Sequence, residues 1–301
     1  MSHAHTMIRS TKQGRRVSLA VRARGQTVSA CTKRLRSGLE SKGATYSPPL
    51  KWAGGKRWLV DRLRPIWEHH EHRRLVEPLS GGIAVALGLM PRHALLNDIN
   101  SHAINFFRWV KRGLRVRSEA TNDRNDFFAA RDRFNSLILR GKHESQEAAA
   151  LFYYLNRTCY NGLCRFNRRG EFNVPFGRYA KINYTSNFRL YKPLFANWEF
   201  SCGDFEKLRL DPGDFVYADP PYDVEFRQYS KQGFSWQDQV RLAEWLALHP
   251  GPVVLSNQAT ARINTLYRQL GFSLEFLSAP RMISCTGDRR RAPEVLASRG
   301  L

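Results

Sequence analysis

The 301-residue chain is long enough for one large domain or for a domain with an insertion, and 42% hydrophobic residues can supply a buried core. Its 48 Lys and Arg outnumber 26 Asp and Glu, and the net charge of +22 favours a polyanionic partner such as nucleic acid. The sequence has no apolar run of about 18 residues and no signal peptide. These absences exclude a membrane-spanning helix and predict a soluble, cytoplasmic protein.

The cysteine and histidine positions predict neither a disulfide framework nor a metal site. Five cysteines, an odd number, are scattered without Cys-x-x-Cys spacing, so reduced thiols are expected. His69, His70 and His72 lie beside arginines and acidic residues, which fits an exposed helix end better than a metal site. No metal ligand is assigned.

Residues 1–45 differ in composition from the rest of the chain. They hold ten Lys and Arg and one acidic residue, with only short apolar stretches. Such a segment cannot bury enough surface to offset the entropy lost on ordering. It is predicted to be a disordered basic arm.

From residue 46 onwards, strand and helix patterns alternate. Buried strands are predicted at 75–78 and 94–98 with a helix at 84–89 between them, a unit in which a parallel sheet with a right-handed crossover is expected. After a charged helical stretch and a polar, Arg-rich stretch, which together look inserted, the pattern returns. The later elements are strands at 198–200, 214–218 and 252–256 and a helix at 238–247. The alternation predicts one α/β domain.

Two of the predicted strands end in acidic residues that suggest a cofactor site. Glu77 is followed by a Ser80-Gly81-Gly82 turn, and Asp98 ends the next strand 21 positions after Glu77. Open α/β sheets bind ligands at the carboxyl ends of strands, where an acid at this spacing reaches ribose hydroxyls. An adenosine-containing cofactor is indicated, with a purely structural turn as the alternative. The Gly-x-Gly-x-x-Gly pattern of nicotinamide dehydrogenases is absent.

A third predicted strand runs directly into Asp219-Pro220-Pro221-Tyr222. The prolines remove backbone donors and stiffen the loop, so a carboxylate, a carbonyl and an aromatic ring are presented together. Asp219 and the Pro220 carbonyl can accept the two N–H bonds of an adenine N6, whose lone pair is otherwise delocalised. Tyr222 would stack on a base that has left the duplex. The motif predicts methyl transfer from a sulfonium to an amino group, and a loop with a buried tyrosine is the structural alternative.

Five sequence blocks carry a family resemblance: Leu50–Lys56, Val76–Pro78 with its glycine turn, Asn97–Asn100, the run from Tyr154 to Tyr179, and Asp219–Tyr222. Together and in this order they resemble the Dam-type DNA adenine N6-methyltransferases, the D12 class in the alpha arrangement, over most of residues 48–300. The resemblance implies a Rossmann-like sheet that binds S-adenosylmethionine, formed by 46–110 and 194–301. It makes 111–193 an inserted, mostly helical target-recognition domain that bears a β-hairpin.

The resemblance also implies roles for individual residues at the cofactor. Trp52 and Lys56 contact it, Asp98 holds its ribose or adenine region, and Asp219 lies between it and the target base. Asp204 and Phe205 flank its adenine. The expected catalytic residues are Asp219, Pro220 and Tyr222, and the expected cofactor residues are Trp52, Lys56, Glu77, Asp98, Asp204, Phe205 and Asp219.

The stretch 156–179 looks like the family's DNA-recognition hairpin. Arginines and aromatic residues alternate there: Arg157, Arg165, Arg168, Arg169 and Arg178 with Tyr160, Phe166 and Phe172. Arginine can bind guanine edges in the major groove, and an inserted aromatic ring can fill the gap left by a flipped base. Positions that match the family's DNA contacts are Lys51, Tyr160, Asn161, Leu163, Arg165, Pro175 and Arg178. They imply double-stranded DNA and a GATC or GAT-containing site, with a solvated basic hairpin as the alternative.

Other segments add weaker expectations. The loop 281–291 is basic and suited to phosphates, and 225–234 is a candidate lid. Leu79 and Ile83 stand where many relatives carry Phe and a third glycine. A catalytically silent DNA-binding protein on the same scaffold is the main alternative function, and RNA methylation is disfavoured by the hairpin. No obligate protein partner is implied, and a monomer is expected.

Overall fold

The computed structural model describes residues 46–116, 120–223, 234–280 and 292–301. The predicted arm at 1–45, most of the candidate lid and the basic loop at 281–291 lie outside the described residues. Within the described ranges, seven strands form one sheet. No helix in those ranges is long and apolar enough to cross a membrane.

The strands, in chain order, are β1 Leu75–Glu77, β2 Ala94–Asp98, β3 Trp198–Cys202, β4 Phe215–Ala218, β5 Val253–Gln258, β6 Ser273–Ala279 and β7 Ala292–Arg299. The helices are α1 Val60–Glu68, α2 Ala84–Leu89, α3 Ser101–Arg112, α4 Arg124–Leu139, α5 Gln146–Thr158, α6 Tyr191–Phe195, α7 Trp236–Ala247 and α8 Ala261–Gln269. Short 3-10 turns lie at Arg57–Leu59, Tyr160–Gly162 and Phe205–Lys207.

The sheet has the strand order β3-β2-β1-β4-β5-β7-β6. Strands β1 to β5 are parallel, whereas β7 is antiparallel to both β5 and β6. The chain leaves β1 towards β2 and β3 on one side and returns to β4 and β5 on the other, so the order reverses between β1 and β4. Sheets of this kind bind ligands at that reversal. The expected Rossmann-like α/β fold is confirmed.

The central strands form where the sequence is continuously apolar. Every residue of β1, β2 and β4 is buried, as in parallel strands covered on both faces. The five strands and two helices predicted from the pattern correspond to β1 to β5, α2 and α7. The sequence pattern does not predict strands β6 and β7 or helices α3 and α8.

The segment predicted as an insertion packs into the same core as the sheet. One hydrophobic cluster contains residues of β1 and β2 together with residues of α4 and α5. The ring of Phe106 on α3 stacks on Tyr153 of α5 at 5.3 Å between centroids. The domain boundaries at 110 and 194 stay a prediction, and the packing across them is continuous.

An ion pair joins β1 and β4 at their amino ends, opposite the ends at which Glu77 and Asp219 lie. Arg74, just before β1, donates from Nε and Nη2 to Asp214 just before β4, at 2.9 and 2.7 Å. The Phe215 N–H donates to the Arg74 carbonyl at 2.9 Å. Asp214 is 2% exposed, so the pair holds the two strands on either side of the reversal.

We predict that Asp214→Ala destabilises the protein by about 3 kcal/mol, because removing the buried partner leaves Arg74 with only the exposed Asp211, 3.3 Å away, to balance its charge. Arg74 keeps some water contact at 23% exposure, which places the loss at the lower end of the usual range. Urea unfolding measures it. The control is Glu275→Ala, which breaks an exposed pair with Arg62 and is expected to lose at most about 1 kcal/mol. Equal losses in the two variants would contradict the assignment.

Candidate active site

The centre of the site is an ion pair between Lys56 and Asp219. Asp219 follows β4 directly, and its Oδ1 lies 2.7 Å from the Lys56 Nζ. Ser256 on β5 donates its hydroxyl to the same Oδ1 at 2.9 Å. Lys56 is 3% exposed and Asp219 is 20% exposed. Since both contacts fall on Oδ1, the second carboxylate oxygen, Oδ2, receives neither of them.

Lys56 favours the charged form of Asp219. Burial raises the pKa of Asp219, and Lys56 and Ser256 act against that rise. Burial alone would lower the pKa of Lys56, but Asp219 and Glu294 outweigh it and the pKa lies above the usual range. The cation fixed beside the enclosed carboxylate therefore offsets part of the effect of burial on Asp219.

The rest of the Asp-Pro-Pro-Tyr loop is anchored by side chains from other elements. The Pro221 carbonyl accepts from Gln239 of α7 at 2.7 Å, and Gln239 in turn accepts from Asn257 of β5 at 3.0 Å. The Tyr222 hydroxyl donates to Glu294 Oε2 at 2.8 Å. Asp223 forms an ion pair with Arg262 of α8. The loop is therefore fixed along its length.

Glu294 is a site residue for which no role was predicted from the sequence. It lies on β7 opposite Gln258 of β5 and is 1% exposed. Its Oε1 lies 3.5 Å from Lys56 Nζ. The one available signal is an acidic residue inside the apolar run from Ala292 to Ala297, and such a residue can equally be solvent-exposed.

The glycine turn after β1 is organised by Asp98 and covered by Trp52. Asp98 accepts the Gly81 N–H on Oδ2 and the Asn100 N–H on Oδ1, both at 2.8 Å. A Cβ at Gly81 would lie 2.5 Å from the Trp52 Nε1, and one at Gly82 would lie 2.7 Å from the Trp52 Cβ. Only glycines permit this approach, so Trp52 and Asp98 are brought to the same turn, as the cofactor assignment requires.

Ile83 explains why many relatives carry glycine at its position. Its backbone has φ 54° and ψ 31°, in the left-handed region that a β-branched residue rarely adopts. The side chain is fully buried in the core. The turn geometry that suits glycine is thus retained here, with the strained backbone held by packing around Ile83.

Glu77 places a buried carboxyl at the end of β1. Burial raises its pKa to about 8, and the nearby Asp219 adds to the rise. Among the described residues, neither Glu77 Oε1 nor the buried Ser80 hydroxyl has a hydrogen-bond partner. A buried acceptor without a partner favours a cationic ligand, and S-adenosylmethionine carries both a sulfonium and an ammonium group. The residues present therefore fit that cofactor.

Asp204 and Phe205 lie at the same sheet edge, in the turn after β3. Asn97 donates to the Gly203 carbonyl of this turn and to the Pro78 carbonyl, at 2.9 Å each. Asp204 pairs with both Nη atoms of Arg241, at 3.0 and 2.9 Å. The Arg241 guanidinium also lies 4.5 Å from the centroid of the Phe205 ring, which is 3% exposed. These two residues are near the site but are already engaged by Arg241.

The predicted DNA-binding residues lie on and beside an antiparallel hairpin. Bridges join Cys159 with Phe176 and Phe166 with Phe172. Five of the predicted residues have exposed side chains: Tyr160, Asn161, Arg165, Pro175 and Arg178. The other two, Lys51 and Leu163, are half-buried. Arg165 is held by Asn173, to which Nε and Nη2 donate at 2.9 and 3.0 Å.

Asn156 joins the hairpin to the N-terminal segment of the site. Its side-chain amide accepts the Lys51 N–H at 2.8 Å and donates to the Lys51 carbonyl at 2.9 Å and the Gly162 carbonyl at 3.3 Å. A Cβ at Gly162 would lie 2.3 Å from the Lys51 Cβ. Asn156 is fully buried, so Lys51 and the turn at Asn161 are positioned together.

Three residues of the alternating arginine and aromatic set pack beneath the hairpin. Arg157 is buried, and its guanidinium donates to the carbonyls of Pro49 and Asn183. Phe172 is 1% exposed in the core, and the half-buried Phe166 stacks on His102 at 4.7 Å. Arg157 and Phe172 are therefore not exposed for DNA, because both side chains complete the core beneath the hairpin.

A match to a protein-family model identifies the family of this chain. The model of the D12 class N6 adenine-specific DNA methyltransferases matches residues 52–282. The chain belongs to this family.

Individual relatives agree. The Type II methyltransferase M.MjaIII of Methanocaldococcus jannaschii is 34% identical over 81% of this chain and 95% of its own length. The DNA adenine methylase of Escherichia coli K12 is 35% identical over 82% and 93%. The DNA N-6-adenine-methyltransferase of Escherichia phage P1 is 32% identical over 88% of this chain, which spans 38% of the phage protein.

We predict that Lys56→Met moves the acid limb of the kcat profile to higher pH. Lys56 lowers the pKa of Asp219, so its loss raises that pKa, and the ionised acceptor is lost at a higher pH. Single-turnover methylation rates from pH 5.5 to 9 measure the shift. Lys192→Met, on the exposed surface of α6, is the matched control and should leave the limb in place. An unmoved limb in Lys56→Met would show that Lys56 does not keep Asp219 ionised.

Proposed function

We propose that this protein transfers the methyl group of S-adenosylmethionine to the N6 of an adenine flipped out of duplex DNA, within GATC or a GAT-containing site. The observation that carries the proposal is the Lys56–Asp219 pair at the strand-order reversal. It holds Asp219 ionised, with both contacts on Oδ1. Family membership supports an adenine substrate.

The proposed chemistry depends on hydrogen-bond acceptors for the N6 amino group more than on a general acid or base. The cofactor, when bound, supplies a methyl group on an activated sulfonium. Asp219 Oδ2 and the Pro220 carbonyl accept the two N6 hydrogens, which returns the nitrogen lone pair to the reaction. Tyr222 stacks on the extruded base and holds it in line. After transfer, N6 loses one proton, and the raised pKa of Asp219 suits its Oδ2 to receive it.

The cofactor residues form one group at the sheet edge. Trp52 and the glycine turn shape the pocket, Asp98 fixes the turn, and Glu77 faces the positive end of the cofactor. The turn of Asp204 and Phe205 would lie at the adenine, with Arg241 as a neighbour. This arrangement is supported by the unpartnered oxygens of Glu77 and Ser80.

For DNA, the exposed hairpin residues and Lys51 are the proposed contacts. Arg165 and Arg178 are the candidates for guanine edges, because both are exposed and arginine binds guanine bidentately. Tyr160, 52% exposed, is the candidate for filling the space left by the flipped base. We further propose that the enzyme acts as a monomer in the cytoplasm of a bacterium or of a phage-infected cell.

We predict that the affinity for S-adenosylmethionine rises with pH through about 8 in the wild type. Glu77 has a pKa of about 8 without ligand, and the cationic cofactor binds its ionised form, so the protonated fraction weakens binding below that pH. Glu77→Gln should bind roughly tenfold or more weakly and lose this component of the pH dependence. Calorimetry of both proteins between pH 6.5 and 9 isolates the contribution of Glu77. The control is Glu199→Gln, an exposed residue on β3; identical profiles for Glu77→Gln and wild type would exclude Glu77.

We predict that the wild-type protein, expressed in a host without adenine methylation, produces N6-methyladenine at GAT-containing sites. Asp219→Ala should abolish methylation while a gel-shift assay still detects DNA binding, because the hairpin does not depend on Asp219. Single-molecule sequencing of the host genome measures modification at every site. Sequence-specific binding without methylation by the wild type would favour a catalytically silent DNA-binding protein. Methylation only outside GAT-containing sites would overturn the proposed specificity.

A further inference from the structure

We propose that Glu294 on β7 is a positioning residue that fixes the Tyr222 ring through its hydroxyl and orients Lys56 through its charge. The inference rests on the proposed function, since it assigns Tyr222 to the target base and Asp219 to N6. It adds a third element to a site otherwise formed by the N-terminal segment and the loop after β4.

The sheet topology brings Glu294 to the site. Strand β7 runs antiparallel to β5, so a residue near its start lies at the edge where the parallel strands end. Glu294 is paired with Gln258, the last residue of β5, and follows Pro293. The side chain is 1% exposed and faces Lys56 and Tyr222. A solvent-facing role for this carboxylate is therefore excluded.

The contact with Tyr222 restrains the ring. Tyr222 is anchored to the backbone at one end, and its hydroxyl donates to Glu294 Oε2 at 2.8 Å at the other. A side chain held at both ends cannot swing about its Cα–Cβ bond, so less entropy is lost when a base stacks on its ring than for a free side chain. Lys56 Nζ, 4.8 Å from the ring centroid, lies against the same ring. Glu294 thus presets the surface on which the base is proposed to lie.

The contact with Lys56 balances the charge on Asp219. Lys56 Nζ lies 2.7 Å from Asp219 and 3.5 Å from Glu294, so one cation is shared by two carboxylates. Without Glu294, Lys56 would neutralise Asp219 more completely and weaken it as an acceptor. The other titratable groups that interact with Asp219 are Glu77, Tyr217, Tyr222 and Tyr267.

Stability alone does not account for the burial of Glu294. Among the described residues its buried Oε1 has no hydrogen-bond partner, and the cation nearest to it, Lys56 Nζ, lies 3.5 Å away and is shared with Asp219. An ion pair at this distance offsets only part of the cost of burying a carboxylate. The position of Glu294 beside Tyr222, Lys56 and Asp219 points to a role in the reaction.

The test compares Glu294→Ala with Glu294→Gln. The glutamine keeps an oxygen that can accept from the Tyr222 hydroxyl but removes the charge, and it is the variant most certain to fold. We expect kcat to fall by roughly tenfold in Glu294→Gln and further in Glu294→Ala, with KM for S-adenosylmethionine within about twofold of wild type. Glu275→Gln on β6 is the matched control and should show wild-type kcat. Equal kcat in wild type and both Glu294 variants would overturn the proposal.

The two roles of Glu294 separate in two further measurements. In a Tyr222→Phe background, Glu294→Ala and Glu294→Gln should have the same kcat, because the hydroxyl is gone. A persisting difference overturns the Tyr222 role. Glu294→Gln should move the acid limb of kcat to lower pH. The pKa of Asp219 falls in this variant, because a nearby negative charge is removed and Lys56 no longer interacts with a second carboxylate. This shift is opposite in direction to the shift expected for Lys56→Met. If the acid limb of Glu294→Gln does not move, the charge role of Glu294 is overturned.

A measurement without catalysis separates this proposal from the proposed function. Carbon-13 relaxation of labelled tyrosine, with the Tyr222 signal assigned by Tyr222→Phe, should show a loss of side-chain order for Tyr222 in Glu294→Ala relative to the wild type. Unchanged order means that Glu294 does not restrain the side chain. If the wild type methylates no DNA while the order responds as expected, the proposed function fails and the restraint by Glu294 stands.

Discussion

The ion pair between Lys56 and Asp219 is the interaction on which the rest of the site depends. Burial of Asp219 favours its protonated form, which is a weaker acceptor for an amino hydrogen. Lys56, from a segment that precedes the sheet, opposes this effect. The N-terminal motif and the Asp-Pro-Pro-Tyr loop are therefore parts of one electrostatic unit, although they lie far apart in the chain.

The sheet makes this unit compact. Because strand order reverses between β1 and β4, Glu77 and Asp219 lie on adjacent strands at the same edge. Asp98 lies one strand further out and holds the glycine turn. The antiparallel β7 then returns the last part of the chain to this edge, which is how Glu294 reaches Lys56. Each acidic residue thus comes from a different strand. Their exposed fractions fall from 20% for Asp219 to 1% for Glu294.

The sequence predicts the fold well where local pattern and function coincide. The buried strands β1, β2 and β4 begin with apolar runs, and an acidic residue ends β1 and β2 and follows β4, so the pattern and the chemistry predict them together. The role of Glu294 could not be predicted, because only the long-range return of β7 distinguishes it from a solvated glutamate. The same limit applies to Arg157: composition cannot separate an arginine that binds buried carbonyls from one that faces DNA. Lys56 was assigned to the cofactor, whereas its contacts in the structure are with acidic residues and the Gly54 carbonyl.

The buried amide of Asn156 has a consequence for how this enzyme family can diversify. Recognition segments are exchanged most easily when they form contiguous cassettes with few outside contacts. Here the hairpin and the segment at Lys51 share one amide that satisfies groups on both, and Gly162 leaves no space between them. A hairpin grafted from a relative would therefore need its own Lys51 segment to remain in register. Under the proposed role of the hairpin in binding DNA, the inheritable unit of specificity is a discontinuous pair of segments.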